Sequence, residues 1–377
     1  MAGIYIHIPF CKSRCIYCGF YSTTAHRLKQ RYVDAVCREM EKTLPAPPCL
    51  GRETEKVETV YLGGGTPSQL SIEQLQQLFL YINKVYDVSP NAEVTIEVNP
   101  DDVTEEFAVL LSQLPVNRVS MGVQTFDDQR LQFLHRRHTA QQIPIAVERL
   151  RKAGINNISI DLMYGFPNET LEEWHQDIDT ALQLDVEHLS AYALMYEEGT
   201  KLFQLLQSGL VKELDEEVSL QMYSDLIDRL KAASYEHYEI SNFAKPGVRS
   251  RHNSNYWNQT PYIGLGAAAH SYNGEDCRRW HVDDVLQYIE GIENGSAKYE
   301  EEFLDEDTRY NDLVMTALRT CEGLNLNKLT VEQAIYCKQQ ALRFIEDDLL
   351  HIQDNHLRLT RKGLFVSNMI MSELMRV

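Results

Sequence analysis

The chain has 377 residues, and its composition of 44% hydrophobic and 24% charged residues is typical of a folded globular protein. Its 36 Lys and Arg residues stand against 55 Asp and Glu residues, and the resulting formal charge of -19 disfavours non-specific attraction to nucleic acid or anionic lipid. No apolar run approaches the roughly 20 residues of a membrane span, and the N-terminus lacks the pattern of a signal peptide. We therefore expect a cytoplasmic protein with reduced cysteines.

Residues 3 to about 195 alternate β-rich segments with amphipathic helical segments, which is typical of a parallel sheet built from βα units. The candidate strands are GIYIHIPF, VETVYLGGG, AEVTIEVNP, RVSMGVQ, NISIDLMYG and HLSAYALM. Because six units are too few for a closed eight-unit barrel, we predict an α/β fold with a partial (β/α)6 barrel. Its site should lie at the carboxyl ends of the strands.

Polar and glycine residues gather at those carboxyl ends. In chain order they are residues 11–18, residues 63–67, Glu97, Asn99, Gln124, Asp161 and Tyr192. Any one of them could cap a helix or satisfy a local hydrogen bond. Their convergence on one face of the predicted barrel indicates a functional site.

The remaining chain divides into two further segments. Residues from about 200 to 300 are less regular, and we predict an extension packed near the barrel mouth. From about residue 303, helical segments and the hairpin-like HIQDNHLRLT predict a C-terminal, mostly helical, winged-helix-like domain. The predicted domains are therefore residues 1–200, 201–300 and 301–377. Since the chain is acidic and has no obvious basic recognition helix, we expect the winged helix to have a structural or partner-docking role.

Three cysteines, Cys11, Cys15 and Cys18, are spaced Cys-x3-Cys-x2-Cys on the loop after the first strand. Such thiolates can bind three irons of one [4Fe-4S] cluster and leave the fourth iron open for an amino acid ligand. A structural zinc site would need a fourth ligand, for which His7 and His26 are formal candidates. The cysteines that we expect to be dispensable for the cluster are Cys37, Cys49, Cys277, Cys321 and Cys337.

With the preceding YIHIPF, the loop CKSRCIYC resembles that of the radical S-adenosylmethionine (SAM) superfamily. The resemblance implies a partial (β/α)6 barrel, and a reduced cluster whose electron cleaves SAM to methionine and a 5′-deoxyadenosyl radical. It also implies a set of SAM-binding residues, with glycines where a Cβ would crowd the methionyl group and an arginine suited to its carboxylate. These residues are Tyr5, Tyr17, Gly64, Gly65, Thr66, Glu97, Gln124, Arg136 and Asp161.

Further phrases resemble one branch of that superfamily, which contains the oxygen-independent coproporphyrinogen III dehydrogenases (HemN) and the HemW-type heme chaperones. They are YIHIPFC, YLGGGTP, EVNP, GVQTF and DLMYGFP. The dehydrogenases carry another cysteine two residues beyond the third ligand, where this chain has Phe20. The segment HNSNYW resembles a heme-associated HNxxYW motif and implies heme binding by His252, Asn253, Tyr256 and Trp257. An imidazole suits iron and aromatic rings suit a flat macrocycle, although such a segment alone is more often a packed loop.

The resemblance therefore implies a heme chaperone that retains a [4Fe-4S] cluster and SAM and transfers heme to acceptor proteins. One alternative is a coproporphyrinogen dehydrogenase-type radical enzyme, and another is a radical enzyme acting on an unrelated substrate. We assign no catalytic residue and do not expect coproporphyrinogen oxidation, while SAM cleavage is left open. The implied partners are heme, heme-acceptor proteins and an electron donor to the cluster, without nucleic acid. A homodimer and transient contact with membrane-bound acceptors are left open as well.

Overall fold

The computed structural model describes residues 2–42 and 56–376. Six parallel strands pair in chain order, each with the next, and form an open barrel wall. They are β1 (Ala2–Ile8), β2 (Val57–Gly64), β3 (Val88–Val98), β4 (Arg118–Gln124), β5 (Asn157–Tyr164) and β6 (His188–Ala193). All six correspond to predicted strands, so the prediction of a partial (β/α)6 barrel is confirmed.

Helices connect these strands and cover the outside of the sheet. They are α1 (Lys29–Lys42), α2 (Ile72–Val85), α3 (Glu105–Gln113), α4 (Asp128–Phe133), α5 (Gln142–Lys152) and α6 (Leu171–Gln183). Local sequence sets several of their starts. At α2, the Ser71 side chain accepts a hydrogen bond from the Gln74 backbone while the Gln74 side chain accepts one from the Ser71 backbone, which is a capping box.

Residues after the sixth strand extend both edges of the same sheet. The helices of this segment are α7 (Lys201–Gln207), α8 (Glu216–Ala232), α9 (Arg251–Trp257) and α10 (Val285–Asn294). Its strands are β7 (Glu236–Glu239), β8 (Asn242–Ala244), β9 (Tyr262–Leu265), β10 (His270–Tyr272), β11 (Cys277–His281) and β12 (Tyr299–Phe303). Strand β8 pairs antiparallel with β6, and β9 pairs parallel with β1, so the complete sheet has 12 strands.

The C-terminal part has its own hydrophobic core and a three-stranded antiparallel sheet of order β13-β15-β14. Its elements are α11 (Glu306–Ala317), β13 (Leu324–Asn325), α12 (Val331–Glu346), β14 (Leu350–Gln353), β15 (His356–Leu359), α13 (Arg361–Phe365) and α14 (Ser367–Leu374). This order is that of a winged helix, as predicted. Asp354 and Asn355 have φ of 51° and 59° and form the two-residue turn of the β14–β15 hairpin. Among the described residues, no helix has the length and apolarity needed to cross a membrane.

Alternate residues of β1 face opposite sides of the sheet, as the pleat of a strand requires. Its three isoleucines are each 0% exposed and pack in the core beneath the helices. Tyr5 and His7 lie between them and face the inside of the barrel, where the Tyr5 hydroxyl and His7 Nδ1 are 3.0 Å apart. The inside of the barrel is therefore polar and aromatic, while its outside is apolar.

Candidate functional site

The three loop cysteines lie at the carboxyl end of the barrel and line one cavity of about 190 Å³. The loop is held by backbone hydrogen bonds, including Cys11 N–H to the Thr23 carbonyl at 3.0 Å. The Cys11 Sγ lies 3.4 Å from Thr66 Oγ1. Burial raises the pKa of Cys11, and it raises the pKa of Cys18 to about 11. The Cys11 and Cys18 thiols are therefore protonated at neutral pH until a metal displaces the proton.

The cysteine loop does not match a structural zinc site. Among the described residues, no three His, Cys, Asp or Glu side chains are close enough together to hold one metal ion. A cubane cluster binds three thiolates at three separate irons, whereas a zinc ion needs four ligands around one centre. His7 was a formal zinc ligand, but its ring is already bonded through Nδ1 to Tyr5 and through Nε2 to the Tyr21 carbonyl at 3.0 Å.

The other described cysteines lie away from this cavity. Cys37, Cys277 and Cys337 are buried elsewhere, and Cys321 is exposed within the C-terminal part, between α11 and β13. Cys49 lies outside the described residues. None of the four described thiols could join the loop cysteines at one cluster without a large change of fold.

Eight of the nine predicted SAM-binding residues line the same cavity as the cysteines. They are Tyr17, Gly64, Gly65, Thr66, Glu97, Gln124, Arg136 and Asp161. Tyr5 does not line it, because Tyr5 lies deeper in the barrel and its ring stacks on Tyr61 and His252. Tyr5 is therefore placed nearer to the HNSNYW segment than to the cysteine loop.

Arg136 carries the main positive charge inside the cavity. Its Nη2 donates to Asn99 Oδ1 and to the Gly122 carbonyl, each at 2.5 Å, and its Nη1 donates to Cys15 Sγ at 3.7 Å. Its Nε is buried without a hydrogen-bond partner. A buried guanidinium with one unused donor fits an anionic group such as the carboxylate of an amino acid.

Two carboxyl groups lie at the inner end of the cavity. Glu97 accepts hydrogen bonds from the Tyr61 hydroxyl at 2.8 Å and from Gly64 N–H at 3.1 Å. Burial, together with the nearby Asp161 carboxylate, raises the pKa of Glu97 to about 7. Burial also raises the pKa of Asp161 to about 6, while hydrogen bonds from Ser190 and other groups lower it. Both carboxyl groups can gain or lose a proton near neutral pH. In the ionised form they can accept hydrogen bonds from ribose hydroxyls, and protonation removes this ability.

The glycines of GGGTP are required by packing between the ends of β1 and β2. A Cβ on Gly65 would lie 2.7 Å from the Pro9 backbone carbon, and one on Gly64 would lie 2.5 Å from the His7 ring. Gly64 also has φ of 107°, which strongly favours glycine. We expected these glycines to allow close approach of a cofactor. In the structure, they first of all allow close packing of their own backbone against β1 and the residues that follow it.

Several cavity residues were not assigned from the sequence. Asn99 and Ser120 line the cavity, as do Arg137 and Lys12. Asn99 was named among the strand-end residues, but no role was assigned to it; it is two residues beyond Glu97 and therefore on the same side of the chain. Gln124 has φ of 70°, an unusual conformation for a residue other than glycine and one that clusters at functional sites.

The HNSNYW segment forms helix α9 at the opposite end of the barrel from the cysteines. Helix α9 precedes β9, and β9 runs parallel to β1, so α9 must lie where β1 begins. Its contacts are with Thr59 and Glu93, near the amino ends of β2 and β3. Our expectation that the extension packs near the barrel mouth is therefore wrong for this segment, because the strand direction of β9 fixes it at the other end. It holds for α7, where Leu202 N–H donates to the Ile16 carbonyl of the cysteine loop at 2.8 Å.

His252 is closed to ligands in this conformation. Its side chain is 2% exposed, its Nδ1 lies 2.9 Å from Thr59 Oγ1, and its Nε2 lies 3.0 Å from the Tyr256 hydroxyl. Burial lowers its pKa to about 3, so the ring is neutral. The Glu93 carboxylate accepts the backbone N–H groups of Arg251 and His252, each at 2.9 Å, and so holds the first turn of α9 to the barrel.

The other motif residues are partly accessible. Asn253, Tyr256 and Trp257 are half-buried. The Trp257 ring carries the Arg319 guanidinium 4.9 Å from its centroid, and the Trp257 Nε1 is buried without a hydrogen-bond partner. The structure therefore brings the four motif residues onto one short helix, while it separates them from the cysteine cavity.

Comparisons with known proteins agree with this architecture. Residues 5–181 match the radical SAM superfamily, and residues 304–366 match the HemN C-terminal domain. Over 98% of its length the chain is 33% identical to the heme chaperone HemW of Lactococcus lactis subsp. lactis (strain IL1403) and 34% identical to that of Bacillus subtilis (strain 168), covering 96% and 97% of those proteins. The structure of the coproporphyrinogen III oxidase HemN from Escherichia coli superposes with a TM-score of 0.84 at 21% identity, over 99% of this chain and 90% of that one, which shows a shared fold.

Proposed function

The chain belongs to the HemW family within the radical SAM superfamily, and we propose on that premise that it is a heme chaperone, which binds heme and transfers it to acceptor proteins. The observation that carries this proposal is the similarity to heme chaperones over 98% of the chain. Phe20 supports it, since this residue stands where a dehydrogenase carries a further cysteine, and it is 71% exposed at the rim of the cysteine cavity. The dehydrogenase-type function is not favoured.

Membership of the superfamily implies a [4Fe-4S] cluster and SAM, and the cavity fits both. We propose that Cys11, Cys15 and Cys18 bind the cluster and leave one iron for SAM. When bound, the reduced cluster supplies the electron for cleavage of the SAM C–S bond. The chain's own residues would bind and orient SAM. The unused Arg136 Nε suits the methionyl carboxylate. Glu97 and the remaining SAM-pocket residues would surround the nucleoside part.

For heme, we propose that the HNSNYW residues His252, Asn253, Tyr256 and Trp257 contribute after helix α9 moves. Undocking α9 breaks six hydrogen bonds to the barrel, two of them to the Glu93 carboxylate. At net values of roughly 0.5–3 kcal/mol for each such bond, opening would cost roughly 3–18 kcal/mol together. Heme bound at His252 would have to offset that cost.

The remaining partners follow from this proposal. A cluster that cleaves SAM must first be reduced by an electron donor. A heme carrier also needs acceptor proteins. The C-terminal winged helix, with a core of its own, is proposed as a docking element for such partners. We also propose the division of the chain at about residues 200 and 300 as the practical boundary between barrel, extension and C-terminal domain.

Two anaerobic incubations of the cluster-loaded protein test the function. In the first, hemin is titrated and binding is followed by visible absorbance. In the second, coproporphyrinogen III is added with SAM and a reductant, and the products are separated by chromatography. We expect saturable heme binding and no protoporphyrinogen IX. Decarboxylation at catalytic turnover would make the dehydrogenase-type function correct.

A further inference from the structure

Arg118 is a charged side chain buried in the interior of the barrel. It is the first residue of β4 and is 1% exposed. Within the described part of the chain, its Nε and Nη1 are buried without a hydrogen-bond partner. Because a buried guanidinium with unused donors lowers the stability of a folded protein, its presence points to a role for its charge inside the barrel.

Strand register places Arg118 one layer of side chains beneath the cysteine cavity. Arg118 is paired with Thr95 of β3, and Ser120 is paired with Glu97. Ser120 and Glu97 both line the cavity. Because alternate residues of a strand face the same side, Arg118 faces the barrel interior two residues below Ser120. Two residues of a strand span about 6.6 Å, a distance that a long arginine side chain can bridge.

The charge of Arg118 acts on the two carboxyl groups of the cavity. Burial raises the pKa of Glu97 to about 7 and that of Asp161 to about 6, and the Arg118 guanidinium opposes this rise for both groups. Two histidines near Arg118 add no charge. Burial and the Arg118 charge together lower the pKa of His252 to about 3 and hold the pKa of His188 well below its ordinary value. Arg118 therefore supplies a permanent positive charge between these histidines and the carboxyl groups.

The other ionisable groups that face the two carboxyl groups are five tyrosines and one arginine. They are Tyr5 in β1, Tyr17 in the cysteine loop, Tyr61 in β2, Tyr192 in β6, Tyr256 in α9 and Arg136 in the loop between α4 and α5. Burial of the phenol oxygens raises the pKa of every one of these tyrosines, so all five are neutral near pH 7. Arg136 is already bonded to Asn99 and Gly122, and its unused Nε is proposed to bind the methionyl carboxylate. Arg118 is thus the nearby cation whose charge has no other assigned role.

We propose that Arg118 is a positioning residue of the SAM pocket, whose buried charge keeps Glu97 and Asp161 ionised so that they can accept hydrogen bonds from the ribose hydroxyls. Arg118 itself does not line the cavity. It therefore acts through the two carboxyl groups and makes no contact with SAM. The proposal rests on the SAM site proposed above and adds a residue from the layer beneath it.

The test is the pH profile of SAM affinity for Arg118→Met, measured by anaerobic calorimetry on the cluster-loaded full chain between about pH 6 and 9. Removal of a nearby opposite charge raises the pKa of a carboxyl group, so the midpoint of the profile should move upward by about one pH unit. Near pH 7 the variant should bind SAM roughly fivefold more weakly, because the ionised fraction of Glu97 falls from about one half to about one tenth. Near pH 9 its affinity should return to within about twofold of the wild type.

Two further variants serve as controls. Arg118→Lys keeps the charge and should keep the midpoint close to that of the wild type. Arg149→Met removes a guanidinium from α5 on the outside of the barrel, where Arg149 donates to the Val103 carbonyl at 2.9 Å, and it should leave the profile unchanged. Arg118→Gln, which is also uncharged, replaces the methionine variant if that protein does not fold.

The shape of the profile separates a positioning role from a structural one. A wild-type profile in the uncharged variant, or an affinity that falls by the same factor at every pH with the midpoint unchanged, would overturn the positioning role of Arg118. Either result would leave the SAM site itself standing. Absence of SAM binding to the cluster-loaded wild-type chain would instead overturn the SAM site proposed above.

Discussion

Substitution of Arg136 by methionine should weaken SAM binding while the chain still folds. Arg136 is the buried cation of the cysteine cavity, and its Nε is the unused donor. A hydrogen bond from a charged donor contributes about 1.5–3 kcal/mol. Loss of one such bond to the methionyl carboxylate should therefore weaken SAM binding by about 10- to 150-fold.

The same substitution removes the donors to Asn99 Oδ1 and the Gly122 carbonyl, so some loss of thermal stability is expected as well. Arg136→Lys is the control, because it keeps the charge but loses the fork of donors, and its affinity should be intermediate. Affinity is measured by anaerobic calorimetry on protein with full iron and sulfide content. A cluster-loaded Arg136→Met protein that binds SAM as tightly as the wild type would refute this assignment of the arginine.

Four further outcomes are expected. Alanine at any one of the three loop cysteines should abolish the reconstituted [4Fe-4S] absorbance, whereas alanine at the exposed Cys321 should not; the opposite pattern would mean that the ligand set is wrong. SAM affinity should rise as pH increases through about 7, because the Glu97 carboxyl, whose pKa burial raises to about 7, becomes ionised; calorimetry across this range should show the rise removed in Glu97→Gln. Without SAM, the same raised pKa should lower the free energy of unfolding as pH increases from the ordinary 4.5 towards 7, since the folded state binds more protons there. His252→Ala should reduce hemin affinity with little effect on the cluster absorbance, because it removes the ligand proposed for heme, which lies outside the cysteine loop; an unchanged hemin titration would leave HNSNYW with a structural role alone.

The barrel could be predicted because two features of the sequence indicate each strand. Each strand alternates outward apolar residues with inward polar ones or forms a continuous apolar run, and each is followed by an amphipathic helix. The convergence of strand-end residues then follows from parallel pairing, since all carboxyl ends meet at one edge. Arg136 illustrates the limit of this reasoning. Its position after β4 was matched by resemblance, while its hydrogen bonds to Asn99 and Gly122 depend on side-chain packing that periodicity does not contain.

The placement of HNSNYW was not predictable from the motif itself. It depends on β9, a strand of four residues whose parallel pairing with β1 joins residues as far apart as Gly3 and Tyr262. The burial of His252 likewise depends on contact with Thr59, 193 residues earlier. Local sequence patterns carry no information on such long-range contacts. The motif therefore indicated a histidine suited to heme, but it could not show that both nitrogens of the His252 ring are already hydrogen-bonded. Tyr5 shows a related limit, because matching its position did not show how deep in the barrel it lies.

The central claim is that this chain carries heme and gives it up to other proteins. The most direct test loads the cluster-containing chain with hemin, removes free hemin, and mixes it with an apo-protein acceptor that shows a distinct absorbance when it binds heme. We expect the acceptor spectrum to appear faster than from an equal amount of hemin lost passively by a non-specific carrier such as serum albumin, and the chain itself to be recovered free of heme. Heme that stays on the chain, or that leaves it no faster than from the albumin control, would contradict the account.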